Sequence, residues 1–168
     1  MKYKDLNNDH KIDQYDVAAI GYPVYPLLTG GINWGFSYKG FDFSMTWSGA
    51  TKVSRLLDDI FREPFGATDS RSLIKYMIDD MWTPEKGNSA KAPAISFTNK
   101  VNNYRDSDLW LRDASYLRLK NVEIGYNFPK KILSKINIGS LRVFATGYNL
   151  LTLDKLKIVD PESRPNGN

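Results

Sequence analysis

In the stretch DLNNDHKIDQYD, Asp5–Asp16, carboxylate or amide oxygens recur at Asp5, Asn7, Asp9, Asp13 and Asp16. That is the spacing of a calcium loop, in which alternating hard oxygen donors wrap a hard cation. Asp5, Asn7, Asp9 and Asp13 fall at loop positions 1, 3, 5 and 9, the Lys11 carbonyl at 7 and Asp16 at 12. Ile12 takes the loop's apolar position. Two residues depart from the pattern. His10 stands at position 6, where the sharp turn calls for Gly, and Asp16 reaches less far than the usual Glu. The competing reading is a turn held by its own Asx side chains, with no ion. Calcium, if bound, would stiffen the loop and do no chemistry.

Other chemistry has few components. His10 is the one histidine and there is no cysteine. Thiol catalysis, disulfides and cysteine zinc sites are excluded, and a lone His makes neither a good zinc site nor a hydrolase triad. Asp58-Asp59, Asp79-Asp80, Glu63 and Glu85 are acids of the type glycosidases pair, but nothing in their spacing sets two of them across a bond. Four aromatics in irregular stretches, Tyr22, Tyr25, Trp82 and Trp110, are candidates for stacking on a substrate or touching a partner. For each, the plainer reading is packing against a neighbouring loop.

The elements that must position these residues are mostly strands. Ile32, Trp34, Phe36 and Tyr38 alternate with polar or small residues; after Lys39-Gly40 the alternation resumes through Phe41, Phe43, Met45 and Trp47. Period two on both sides of a short turn predicts a β-hairpin. Its apolar face is heavily aromatic, with Trp34 and Trp47 towards the ends away from the turn. From Ser115 to Pro129, Leu117 and Leu119 share one parity while Val122, Ile124, Tyr126 and Phe128 share the other. A β-bulge at Lys120-Asn121 restores one continuous face. Leu141–Leu150 is a fourth strand of mixed alternation. Between the strand pairs the pattern turns helical. Val53, Leu56, Leu57, Ile60 and Phe61 lie on one helix face, and Leu73, Ile74, Met77, Ile78, Met81 and Trp82 on another, with Ser70 as N-cap. A short strand is expected at Ala94–Thr98.

Composition narrows the class. The 168 residues are 42% hydrophobic and 25% charged, enough for a real core and too apolar for a disordered tail. The net charge of +4 is dispersed rather than gathered into a basic patch, which speaks against nucleic acid. No run of apolar residues is long enough for a membrane helix, a test that β-barrel strands escape. MKYKDLNNDH lacks the apolar core of an export signal, so a secreted protein would have to supply that signal upstream.

Several separated motifs resemble the C-terminal barrel portion of the SusC/RagA family, the TonB-linked outer-membrane proteins of Bacteroidetes. They are LRDASYLRLKNVEIGYNFPKKIL (Leu111–Leu133), LRVFATGYNLLTL (Leu141–Leu153) and DPES (Asp160–Ser163). Asp5–Asp16, Gly21, Gly30-Gly31, Tyr38-Lys39-Gly40-Phe41 and Trp82-Thr83-Pro84-Glu85 resemble upstream stretches. The resemblance implies an all-β fold: part of a transmembrane antiparallel β-barrel, about four strands of a 22-strand type with a plugged lumen. It places residues 1–31 in an extracellular loop, 32–49 in a hairpin, 50–108 in a long, partly helical extracellular loop, 115–150 in two barrel strands and 151–168 in a loop. It also implies import of glycans or peptides, a SusD-like surface lipoprotein, TonB as energy source, the lipid bilayer as surroundings and no enzymatic activity. TonB would act through an N-terminal region outside these residues; the plug and most strands, including a last strand closing the barrel after residue 168, would also lie outside them. Arg112, Arg118 and Arg142 would face the lumen or pair with plug carboxylates. The alternative without the resemblance is a soluble all-β calcium-binding or surface-binding module.

Overall fold

The computed structural model describes residues 2–65, 72–96 and 101–163; Ser70 and the end of the Ala94–Thr98 stretch lie outside them. Four long strands, β1 (Leu28–Tyr38), β2 (Phe41–Thr51), β5 (Tyr116–Asn127) and β6 (Arg142–Asp154), form one antiparallel sheet in the order β1-β2-β5-β6. Two three-residue strands, β3 (Ser54–Leu56) and β4 (Leu111–Asp113), pair with each other just beyond it.

The hairpin forms where the alternation places it, and its turn chemistry is explicit. Lys39 and Gly40 have φ of 47° and 91°, so both central residues are left-handed, as a two-residue type I′ turn requires. Tyr38 pairs with Phe41, and the register runs unbroken to Leu28 and Thr51. Both strands outrun the expected hairpin. Trp34 and Trp47 therefore sit near mid-strand rather than towards the far ends. The aromatic row that borders the turn is Tyr38, Phe41 and Tyr126, with the Phe41 and Tyr126 rings 4.5 Å apart.

The bulge lies at the expected residue. Thr46 pairs with Asn121 and Trp47 with Leu119, so Lys120 is extra against β2. Against β6 the irregularity reappears between Leu119 and Asn121, next to Asn149, whose φ is 51°. With the bulge in place the two faces separate cleanly. One carries the rows Phe36–Phe43–Ile124–Ala145, Trp34–Met45–Val122–Gly147 and Ile32–Trp47–Leu119–Leu151. The other carries Ser37–Asp42–Gly125–Phe144, Gly35–Ser44–Glu123–Thr146, Asn33–Thr46–Asn121–Tyr148 and Gly31–Ser48–Arg118–Thr152. Phe144 and Tyr148, ambiguous in the sequence, belong to the polar face.

The two short connections share one end of the sheet. They are the Lys39-Gly40 turn and residues 128–141, whose helical turn Lys130–Leu133 continues into a 3-10 turn, Ser134–Ile136. The Asn127 N–H donates to the Gly40 carbonyl (2.7 Å), locking the two together. The long segments 52–115 and 155–163 lie at the other end. There the expected helix over Val53–Phe61 is replaced by β3 and one turn, Asp59–Arg62, because Ser54–Leu56 finds a partner strand more than fifty residues on. The second helix forms over Lys75–Asp80 alone. No strand occupies 94–96; the nearest pairing is a lone bridge, Met81 to Ala92.

The core lies in this loop end and not against the sheet. Val53, Leu57, Ala92, Trp110, Ala114 and Leu156 are buried together, with Phe61, Tyr76, Leu109 and Val159 packed around them. Among the described residues no helix is long and apolar enough to cross a membrane, which says nothing about strands.

Gly40→Val tests the turn. A Cβ at Gly40 would meet the Asn127 carbonyl oxygen at 2.7 Å in a backbone that L residues rarely adopt. The expected cost is about 1–3 kcal/mol, read as a lower yield of folded protein and a lower denaturant midpoint than for Gly139→Ala, where nothing lies within 4 Å.

Candidate functional site

The sheet is the site in the sense that its two faces demand different surroundings. On the apolar face, Ile32, Trp34, Phe36, Phe41, Ile124, Val143 and Leu153 are each exposed by 50% or more. Such a contiguous apolar surface marks a partner or a membrane, since water-facing sheets do not keep one. No segment among the described residues covers it.

The polar face carries two ionic clusters, one at each end. Near the short connections the Arg142 guanidinium, on β6, reaches Asp42 of β2 and Glu123 of β5, both at 2.5 Å. The Asn127 amide donates to Asp42 (2.9 Å), and Arg142 stacks over the Phe144 ring at 5.1 Å. Gly125 is small for a reason: a Cβ there would meet the Asp42 carboxylate at 2.5 Å and the Arg142 guanidinium at 2.7 Å.

At the loop end Arg118 is the hub. Its guanidinium donates to Asp160 (2.6 Å), Glu162 (2.6 Å) and the Thr152 hydroxyl (3.0 Å). Lys120 and the Tyr116 hydroxyl add bonds to Glu162 at 2.6 and 2.8 Å. Arg55, also buried, donates to the Ser163 carbonyl (3.0 Å) and hydroxyl (2.8 Å) and pairs with Asp58. The hydrogen bond and charge of Arg118, with the Glu162 backbone N–H, hold the Asp160 carboxyl below the usual range. Burial pushes Glu162 up, but Lys120, Tyr116 and Arg118 outweigh it and leave its carboxyl low. Asp113 is pulled down to about 2 by Ser115 and by Lys155.

The sequence-proposed residues divide. Arg118 and Arg142 do lie on the polar face, where their carboxylate partners belong to this chain. Arg112 instead donates to the backbone carbonyls of Leu109 and Leu111 in the loop end. Trp110 is 1% exposed and its indole N–H donates to the Asn103 carbonyl (3.0 Å), so it packs the loop core and touches no ligand from solvent. Trp82 is exposed and lines a cleft of about 440 Å³ with Asn88, Pro93 and Leu109. Tyr22 and Tyr25 are exposed on the segment that ties back to β3, where the Tyr22 N–H donates to Ser54 and the Ser54 N–H to Pro23. Asp58, Asp59 and Asp79 pair with Arg55, Arg62 and Lys75 within their own turns, so these acids face bases rather than one another.

In Asp5–Asp16 the side-chain oxygens accept backbone N–H groups. Asp5 takes Asn8 (2.6 Å) and His10 (2.7 Å), Asp9 takes Lys11 (2.8 Å), and Asp16 takes Leu6 (2.7 Å) and Asp13 (2.9 Å). His10 adopts φ of 66°, the left-handed turn that Gly would have made easily. The backbone donors of Asp13 and Leu6 hold the Asp16 carboxyl low. Among the described residues no three His, Asp or Glu side chains gather as a metal site. The geometry is that of an Asx-held turn. Sequence reasoning gave no role to Asp160 and Glu162, although two acids flanking Pro161 in a basic chain were the available signal.

No family model matches the chain. It is 30% identical over 162 residues to a TonB-dependent receptor of Formosa agariphila, a match covering 96% of the chain and 15% of that receptor. Against the TonB-dependent receptor SusC of Bacteroides thetaiotaomicron it is 26% identical over 162 residues, covering 95% of the chain and 15% of SusC. The RagAB peptide importer in its open-open state superposes with a TM-score of 0.66 at 25% identity, over 90% of this chain and 16% of that one. A second structure, of the RagAB peptide transporter, gives 0.64 at 28% over the same shares. The chain thus spans about 15% of the length of the curated relatives it matches.

Two expectations follow. Asp113, Asp160 and Glu162 have folded values below their unfolded ones, so their contribution is present above the unfolded carboxylate range, about pH 4. It is lost as pH falls through the folded values. Hydrogen exchange of residues 155–163, corrected for the intrinsic pH effect, stays slow at pH 7 and accelerates below about pH 4. In the Asp5–Asp16 turn, tryptic cleavage after Lys11 proceeds at the same rate in millimolar calcium and in chelator; slower cleavage in calcium would establish the ion.

Proposed function

We propose that this chain, which belongs to the SusC/RagA family of TonB-dependent receptors, forms part of the wall and outer mouth of an outer-membrane import barrel. One observation carries the reading: four long strands with an uncovered apolar face, a charged opposite face and both short connections at one end. Strands of 11, 11, 12 and 13 residues are long enough to cross a bilayer core, which takes about 9–11. Outer-membrane barrels turn their apolar face to lipid and their polar face to the lumen. Their turns are short on the periplasmic side and their loops long outside, which assigns Lys39-Gly40 and 128–141 inwards and 52–115 and 155–163 outwards.

The whole receptor would close the barrel with strands on the free edges of β1 and β6, because unpaired edges are not tolerated in lipid. It would import its cargo with TonB supplying energy and a SusD-like lipoprotein at the outer surface. The family transports and does not catalyse. The RagAB likeness supports peptides as cargo, with glycans as the other class. Within this reading Tyr22, Tyr25 and Trp82 are outer-face contacts for cargo or lipoprotein. In this reading the Asp5–Asp16 turn is held by its own side chains, which the bonds accepted by Asp5, Asp9 and Asp16 support, rather than by calcium.

A pair of charge substitutions in the whole receptor tests the assignment of faces. Ile124→Arg lies on the apolar face and should cost about 2–4 kcal/mol in lipid, read as loss of heat-modifiable receptor from the outer-membrane fraction. Thr146→Lys, opposite Glu123 on the polar face, should assemble normally. If Ile124→Arg instead leaves assembly intact and Thr146→Lys does not, the faces are reversed. If the receptor is soluble, the barrel reading falls. Uptake of labelled oligopeptides and maltooligosaccharides by cells with and without the receptor then assigns the cargo class.

A further inference from the structure

Most of the polar face is open, but at the outer end residues 155–163 fold back across it. Every few residues this segment is fastened. Lys155 pairs with Asp113 (3.0 Å), and Leu156 is buried in the loop core with Ile158 and Val159 packed beside it. Asp160 and Glu162 take the Arg118 guanidinium, and Ser163 takes Arg55. The Arg118 side chain points to the polar face, so the segment lies on that side of the sheet and not beyond its rim. Two nearly buried guanidinium groups from two different strands thus grip the same four residues, Asp160–Ser163.

We propose that residues 155–163 are a fixed strap across the lumen side of the wall at its outer mouth, bolted by Arg55 and Arg118, and that the strap stays in place while cargo passes. The proposal rests on the import-barrel reading. The reason for fixity is the number of fastenings that must break together. Lifting the strap would break the Arg118 pairs to Asp160 and Glu162, the Lys120 and Tyr116 bonds to Glu162 and the Arg55 bonds to Ser163. Charge-assisted bonds of this kind are the strong ones, and several share one guanidinium and one carboxylate. Lifting would also draw Leu156 out of the core. A moving lid is drawn from weakly fastened segments with few buried contacts, and this segment has the opposite character. It narrows the mouth and forms one immobile side of the entry, so the motions of import fall to other loops.

The test uses the whole receptor in its own outer membrane. A Val159→Cys variant is labelled from outside with a membrane-impermeant maleimide, with and without cargo: an oligopeptide digest, or maltooligosaccharides where uptake assigns glycans. The expected result is slow labelling that cargo changes less than about twofold, and at least about tenfold faster labelling when Arg118→Gln is added. Cargo-driven acceleration of about tenfold would make the segment a gate and overturn the proposal. So would an Arg118→Gln receptor that labels no faster. Should Arg118→Gln fail to assemble, Glu162→Gln removes a bond to the same bolt from the strap side and is held to the same criterion. Lys75→Cys, on an exposed side chain of the long outer loop, separates this from the parent reading. If it is not labelled in intact cells, the outer-membrane assignment fails. If it is labelled and Val159 responds to cargo, only the fixed strap fails.

Discussion

Everything in this structure follows from one face of one sheet being left without a protein cover. A water-soluble sheet of this length buries its aromatic side against a second layer. Here no segment among the described residues lies over the rows through Phe36, Trp34 and Ile32. The hydrophobic effect that would draw a second layer over them is absent in lipid, where apolar side chains need no protein partner. The backbone requirement becomes stricter instead, because N–H and C=O groups inside a bilayer must bond to one another. Long antiparallel strands with a type I′ turn and an unbroken register meet that requirement within the sheet. They leave it open only at the outer edges of β1 and β6.

With the sheet relieved of a core, burial moves to where water returns. The packed cluster of Leu57, Trp110 and Leu156 sits among the long connections beyond the strands. There residues distant in sequence are drawn together by ordinary apolar packing and by buried ion pairs. The polar face between the two ends is fastened differently. At one end Arg142 ties three strands through two carboxylates; at the other Arg118 ties a strand to a loop. Such pairs add little net stability over apolar packing, but each fixes a geometry that a greasy contact would leave loose.

How much of this was legible depended on whether the signal was local. The hairpin and the Lys120 bulge are written in period-two alternation and in one turn dipeptide, so both could be read directly. The helix read into Val53–Phe61 failed because Ser54–Leu56 is claimed by Leu111–Asp113, a long-range pairing that no window of sequence contains. For Trp110 the plainer reading, packing against neighbouring loops, is the one the fold bears out; which residues it packs on was not local information, because Val53, Leu57 and Leu156 arrive from elsewhere. The Asp5–Asp16 spacing was read correctly as a string of oxygens. What it left open was the destination of those oxygens, which in the fold is the backbone of the turn itself. For Asp160 and Glu162 the sequence offered only two acids flanking Pro161; their partners lie more than forty residues away, so which cation they meet was not legible.

The bulge connects these two kinds of information. Along an unbroken strand Arg118 and Lys120 would share a face with Val122 and Ile124, and charged and apolar side chains would be mixed on both faces of the sheet. One extra residue at position 120 changes the parity. Leu117 and Leu119 then join Val122 and Ile124 on the apolar side, and Arg118 joins Asn121 and Glu123 on the polar side. Lys120, the inserted residue, sits beside Arg118 and supplies the second cation to Glu162. The local irregularity that keeps the outer surface apolar is thus also what gathers the charges that hold the 155–163 segment, and neither face of the strand could be built without the other.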